Sequence, residues 1–261
     1  MWIDDEGWLD QAVRVPTPHC GGTEMTPVIV VNHWTAGFSA ASSLRALEVQ
    51  GLSAHFVVDR DGGVYQAVPC TRRAFHAGTS SWRGRDGCNG FSVGIEWANL
   101  GPVERGSDGR CTAYGEPVPG RCFEHNGRWW EALTDAQIAV GHKLHQALAA
   151  RFPSIVEAVD HATVAPARKI DMIPHQAQVA DWGRAFAGRE QAPATPRPAT
   201  KEREPLHVRA IQEALNRAGY HLVVDGIIGS KTLAAIIDFQ RRHRLLPVGV
   251  VNDETRAALG L

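Results

Sequence analysis

The sequence predicts an α/β fold, a mixed central β-sheet flanked by helices, with a small three-helix bundle appended at the C-terminal end. Three observations point there. Short β-branched runs alternate with amphipathic helical stretches over residues 1–187, the pattern of sheet layered with helix. Residues 188–205 then carry four prolines, many charges and almost no large apolar side chain, the composition of a semi-extended linker. Beyond it, residues 206–261 hold a weak internal repeat of helical form.

Each element has its own local reason. Residues 27–33 are a short apolar run after Pro27 and read as a buried strand. Residues 40–50 follow as a helix that stops at Gly51. Residues 54–59 and 64–68 bracket a Gly-containing turn and predict a hairpin. Residues 91–98 predict a strand by strict alternation, with Ser92, Gly94, Glu96 and Ala98 on one face and Val93, Ile95 and Trp97 on the other. Thr134 and Gln137 have capping-box spacing and open a helix to about Ala150, with Ile138, Leu144 and Leu148 on its apolar side. Residues 101–130 are rich in Gly, Pro, Arg and Cys and read as a long loop-like insertion, either beside a substrate groove or as a surface excursion. In the tail, a helix over about 206–218 ends at Gly219. Residues 226–235 then match 249–258, each copy placing a Gly turn and a β-branched pair before an N-cap (Ser230, Asn252) and a helix.

Composition narrows the function. At 261 residues the chain holds one full domain and a small second one, and 44% hydrophobic with 21% charged residues is globular. A net charge of −1 supplies no basic field for nucleic acid, and base-reading motifs are absent. No apolar run approaches the ~20 residues of a membrane span, so no stable membrane insertion is expected. The acidic start, with Asp4, Asp5 and Glu6, lacks the basic and apolar regions of a secretory signal peptide. Synthesis in the cytoplasm and delivery by another route are therefore expected. The five Cys form no C-x-x-C pattern; Cys111 and Cys122 flank a Gly/Pro-rich loop, and both a bridge and free thiols remain open.

Chemistry concentrates in residues 161–171, where His161, Lys169 and Asp171 lie within eleven positions of Pro-broken sequence. If the segment from Arg168 onward is extended, Lys169 and Asp171 project to one side. With His33 at the end of the first strand, they suggest a catalytic zinc site: two imidazoles and a carboxylate, with one position left for water. Glu96 is the candidate acid/base, since small neighbours on its face leave room for substrate; a carboxylate on a solvated sheet face is equally consistent with the strand alone. Lys169 is either an ion-pair partner of Asp171 or a cation aimed at an oxyanion, the latter worth about 3 kcal/mol. His76 lies in a loop where a substrate contact is plausible. His55 reads as a structural histidine, and His142 and His145, three apart on a helix without an H-E-x-x-H pattern, read as surface residues.

Six runs in order, 31–37, 53–62, 73–78, 84–89, 92–96 and 161–171, make the segment from about 25 to 185 resemble the AmpD-type zinc N-acetylmuramoyl-L-alanine amidases, relatives of the peptidoglycan recognition proteins. The resemblance implies a mixed sheet with flanking helices and hydrolysis of the amide joining the lactyl group of N-acetylmuramic acid to the L-alanine of the stem peptide. It implies one zinc ion held by His33, His161 and Asp171, with Glu96 as acid/base and Lys169 stabilising the oxyanion. It also places Asn32, His76 and Arg85 at groove positions for substrate. Two departures stand out: Met172 and Ile173 separate Asp171 from Pro174, where the family often has Asp-Pro, and the 101–130 segment is longer than in compact members.

Residues 206–260 resemble a three-helix peptidoglycan-binding module at Gln212, Leu215, Asp225, Gly226, Gly229, Thr232, Phe239 and Gln240. Such a tether raises effective substrate concentration without adding chemistry. The expected organisation is a catalytic domain at 1–187, a linker at 188–205 and a wall-binding domain at 206–261. The expected setting is a phage or prophage endolysin that meets peptidoglycan in the periplasm or cell wall after a holin lesion. A secreted bacterial effector or remodelling amidase served by a secretion machine is the alternative. A non-catalytic peptidoglycan receptor and a zinc peptidase acting within the stem peptide are the rivals of other classes.

Overall fold

The computed structural model describes residues 1–190, 206–225, 230–243, 245, 251 and 253–261. Its centre is the strand Ile29–Trp34, paired in parallel with Ser92–Trp97 on one side and Glu157–Asp160 on the other. A strand enclosed on both edges and both faces needs a nearly continuous apolar run, which residues 27–31 supply. The full sheet has six strands in the order Val13–Arg14, Val64–Gln66, Phe56–Val58, Ser92–Trp97, Ile29–Trp34, Glu157–Asp160. One pair within it is antiparallel, Phe56–Val58 with Val64–Gln66, so the sheet is mixed as expected.

The strand Ser92–Trp97 is buried at every position, because each face of the sheet carries a core. On one face Val30, Phe56, Val93, Ile95 and Trp97 pack on Leu144, Leu148, Trp182 and Phe186 from the helical layer. That layer is built from helices Asp135–Arg151 and Gln176–Gly183. The first opens on the expected capping box, Thr134 with Gln137. Gly141 lets the Trp182 indole lie against the helix, where a Cβ would stand 2.3 Å from the ring. On the other face Ile29, Val31, Phe91 and Val159 pack with Ala77, Trp82 and Val164. Strand alternation therefore places His33 on this second face and Asn32 on the first.

Two expectations are corrected. Residues 102–131 are not a loop but a five-stranded antiparallel sheet, in the order Glu116–Pro117, Cys111–Ala113, Pro102–Arg105, Arg128–Glu131, Cys122–His125. Two of its hairpins close on Tyr114-Gly115 and Asn126-Gly127, all four with positive φ, the backbone of a type I′ turn. His145 is not at the surface: it is fully buried, stacked on Trp182, with Nδ1 2.8 Å from the Gly141 carbonyl.

In the C-terminal region the helices Leu206–Arg217, Ser230–Arg242 and Asp253–Leu259 share a core of Ile211, Leu215, Ile236, Phe239, Val251 and Leu259. Linker residues 191–205, the repeat turns at 226–229 and 249–250, and the Asn252 cap lie outside the described residues. No helix among the described residues is long and apolar enough to cross a membrane.

Candidate active site

His33 emerges near the end of the central strand. His161 opens a short helix immediately after the neighbouring strand Glu157–Asp160, with Asp160 as its N-cap. The two strands run parallel and side by side, so both imidazoles leave the sheet at the same end. Asp171 is drawn back to them by chain reversal. The amides of Arg168 and Lys169 both donate to the Ala165 carbonyl, so this segment is a turn rather than extended. The Ala162 amide donates to the Asp171 carbonyl at 3.0 Å and completes the closure.

The result is a tight triangle of potential ligands. His33 Nδ1 lies 2.7 Å from His161 Nδ1 and 3.3 Å from Asp171 Oδ2, and His161 Nδ1 lies 2.8 Å from the same oxygen. All three residues are buried. Among the described residues this is the one group of His, Cys, Asp and Glu arranged to hold a metal ion.

Proton accounting decides whether the group fits a cation. His161 Nε2 lies 3.2 Å from the Ala77 carbonyl, which can only accept, so the proton of a neutral His161 belongs there. Its Nδ1 lone pair then faces His33 and the Asp171 carboxylate. Burial, reinforced by neighbouring His161, pushes His33 down to about 3; burial also lowers His161 against the opposing pull of Asp171. Burial alone would raise the Asp171 carboxyl, but the adjacent imidazoles and the Lys169 ammonium hold it well below the usual carboxylate range. Two neutral rings and a carboxylate crowded at these distances are a donor set for a positive ion. His33, His161 and Asp171 would be the residues to hold such an ion.

Glu96 stands directly across from His33 in the parallel register, on the same face. It is buried, and its Oε2 has no hydrogen-bond partner among the described residues. Burial, with the charge of Asp171 adding to it and Lys169 opposing, pushes the carboxyl up to about 8. Its partners on the adjacent strands are His33 and Val57, and its burial rules out a solvated sheet face.

The three expected substrate contacts fare differently. Asn32 is fully buried on the opposite face, accepting from Trp97 Nε1 at 3.0 Å and donating to the Val159 carbonyl at 3.4 Å. Alternation from His33 turns it to the other face of the sheet, where it packs in the core. His76 is brought to the site, yet both ring nitrogens are engaged inside the protein: Nδ1 with His33 Nε2 at 2.9 Å and Nε2 with Ser92 Oγ at 3.1 Å. Its ring thus packs behind His33. Arg85 belongs to the hairpin of Ser81–Trp82 with Arg85–Asp86, its guanidinium 3.8 Å over the Phe91 ring. His55 is structural as expected, its Nε2 2.8 Å from the Arg72 carbonyl and its Nδ1 accepting from the Gly94 amide.

Residues without an obvious chemical signature support the site. Asn89 Oδ1 accepts from the amides of His76 and Ala77 at 3.0 and 2.7 Å and fixes that loop. Arg60 pairs with buried Glu131 at 2.8 Å and also donates to the carbonyls of Gly37 and Phe38, tying the inserted sheet to the loop that follows His33. The signal for that sheet was present in Asn126-Gly127, a dipeptide suited to a two-residue hairpin turn.

A mixed sheet that gathers two imidazoles and a carboxylate at one end, faced by a buried carboxylic acid, defines a hydrolase of the amidase fold. Residues 23–183 match the N-acetylmuramoyl-L-alanine amidase family, and residues 206–259 match a peptidoglycan binding domain family. The 1,6-anhydro-N-acetylmuramyl-L-alanine amidase AmpD of Citrobacter freundii is 32% identical over 202 residues, covering 69% of this chain and 91% of the relative. The N-acetylmuramoyl-L-alanine amidase AmiD of Escherichia coli K12 is 30% identical over 251 residues, 88% of this chain and 79% of that protein. A crystal structure of an AmpD derivative superposes with a TM-score of 0.52 at 28% identity, covering 70% of this chain and 99% of that one. The chain belongs to the N-acetylmuramoyl-L-alanine amidase family and is an amidase acting on peptidoglycan.

Proposed function

We propose that this amidase is zinc-dependent and cleaves the lactyl–L-alanine amide of assembled cell wall, in the setting of a phage or prophage endolysin. The observation that carries the metal dependence is the triangle of His33, His161 and Asp171, whose ligand-type atoms crowd within 2.7 to 3.3 Å of one another. Zinc held by these residues would polarise the scissile carbonyl and acidify the attacking water.

The remaining work falls to the chain's own groups. The Glu96 carboxylate takes the proton of the attacking water at its unpartnered Oε2 and passes it to the departing alanine amine. Burial raises the carboxyl above its ordinary value, which strengthens its hold on the proton it takes before passing it on. The Lys169 ammonium, whose charge reaches Glu96, Asp171 and both ligand imidazoles, offsets the negative charge that develops on the carbonyl oxygen.

The peptidoglycan binding match at 206–259 supports action on the polymer, since a tether gains little on soluble fragments. We assign catalysis to residues 1–187 and wall binding to 206–261, joined by 188–205. Digestion of purified sacculi tests the reading: new alanine amines with intact glycan strands, lost on chelation and restored by zinc, are expected. Other peptide termini would assign a peptidase, and binding without release a receptor. Delivery is tested by expression inside a bacterium. Lysis only when a holin-type lesion is supplied fits the endolysin; wall cleavage without a lesion reassigns the chain to a secreted effector or remodelling amidase.

A further inference from the structure

The hydrogen-bonded cluster continues behind the ligands. His33 Nε2, the nitrogen turned away from the triangle, lies 2.9 Å from His76 Nδ1. His76 Nε2 lies 3.1 Å from Ser92 Oγ, and Ser92 Oγ donates to the Cys88 carbonyl at 2.6 Å. His33, His76 and Ser92 are all buried. We infer that Ser92 and His76 form a relay that fixes the ring tautomer of His33, making both of them positioning residues for metal binding.

The direction of every bond follows from one end. A carbonyl only accepts, so the single hydroxyl proton of Ser92 is spent on Cys88. Ser92 Oγ must then accept from His76 Nε2–H. A neutral His76 presents only a lone pair at Nδ1, so His33 Nε2–H donates to it. A neutral His33 is left with its lone pair at Nδ1, the atom 2.7 Å from His161 Nδ1 and 3.3 Å from Asp171. His161 reaches the same state directly, through the Ala77 carbonyl. His33 has no carbonyl behind it, and an imidazole alone accepts or donates with equal ease. The serine removes that ambiguity.

The strand Ser92–Trp97 is composed for this on one face. Ser92 supplies the anchor, Gly94 the space and Glu96 the acid. A Cβ on Gly94 would stand 2.4 to 2.6 Å from three atoms of the His76 ring, so only glycine admits the ring between His33 and Ser92.

The inference rests on the zinc reading of the site, and its test separates the two. In the full chain freed of metal, ring ¹⁵N shifts report the His33 tautomer, and chelator competition reports zinc affinity. The parent is expected to carry the His33 proton on Nε2. His76→Phe keeps the ring volume but offers no acceptor, and is expected to bind zinc about 10- to 100-fold more weakly, with His33 distributed over both tautomers. His76→Asn, whose Oδ1 can replace Nδ1 as acceptor, is expected to recover most of that loss. Ser92→Ala, a smaller change that guards against misfolding, removes the hydroxyl but leaves the Ser92 backbone that also hydrogen-bonds the His76 ring, and is expected to weaken zinc binding less than His76→Phe. A parent with the His33 proton on Nδ1, or folded His76→Phe and Ser92→Ala proteins with parental zinc affinity, overturns the relay. A parent that binds no zinc overturns the zinc reading, while the tautomer measurement still reports on the relay itself.

Discussion

Glu96 and His33 are direct partners across the two central parallel strands. Residues 94–96 and 31–33 therefore carry the proposed acid and one proposed ligand on adjacent backbones, with no intervening loop to move them. Both side chains are buried on rigid strands of the sheet.

Replacing Glu96 by Gln separates its chemistry from its packing. Activity should fall at least 10²-fold while zinc binding persists. Because burial raises this carboxyl from 4.5 to about 8, the folded state holds its proton more tightly than the unfolded chain. Its stability contribution is full below about 4.5 and is lost as pH rises through 8. In metal-free protein the Gln variant should equal or exceed its parent in thermal midpoint at pH 8.5. A large loss there would mean the carboxylate is structurally paired.

Acid should unfold the metal-free protein through its buried imidazoles. Burial pushes His55, His145 and His175 down to about 4, against 6.5 in the open chain. Below pH 6.5 the unfolded chain takes protons that these folded rings refuse, so stability falls between pH 6.5 and 4. Each contributes a slope of up to about 1.4 kcal/mol per pH unit, and together they outweigh the opposing slope of Glu96. Chemical denaturation at pH 7 and pH 5 would measure this; equal stabilities would show the rings titrate freely.

Lys169→Met is expected to lower kcat by about 10²-fold with a smaller change in KM, the pattern of a group acting on transition-state charge. Steady-state kinetics on a soluble muropeptide would show it. An unchanged kcat would return Lys169 to the role of ion-pair partner for Asp171.

Glu131→Ala should be among the most destabilising changes at a distance from the cluster. Its carboxylate accepts from Arg60 Nε and Nη2 and from the Leu100 amide at 2.6 Å, with 1% of the side chain exposed. Leaving Arg60 unpaired in that setting costs about 3–5 kcal/mol. Urea unfolding would register it, and a loss under 1 kcal/mol would show that the clamp is replaceable.

The sequence by itself determined the strands that carry His33 and Glu96, the capped helix and the metal-ligand candidates. Those depend on local pattern: alternation around Glu96, the Thr134–Gln137 capping box, the apolar run ending at His33. Tertiary structure decided what each polar side chain faces. Asn32 and His33 are neighbours in the chain but lie on opposite faces of one sheet. His145 is buried because Trp182, remote in sequence, stacks on it. The His76 ring lies between His33 and Ser92 because Gly94 leaves room for it. Periodicity reports which way a residue points along its own element; only packing between distant elements settles which partner stands there.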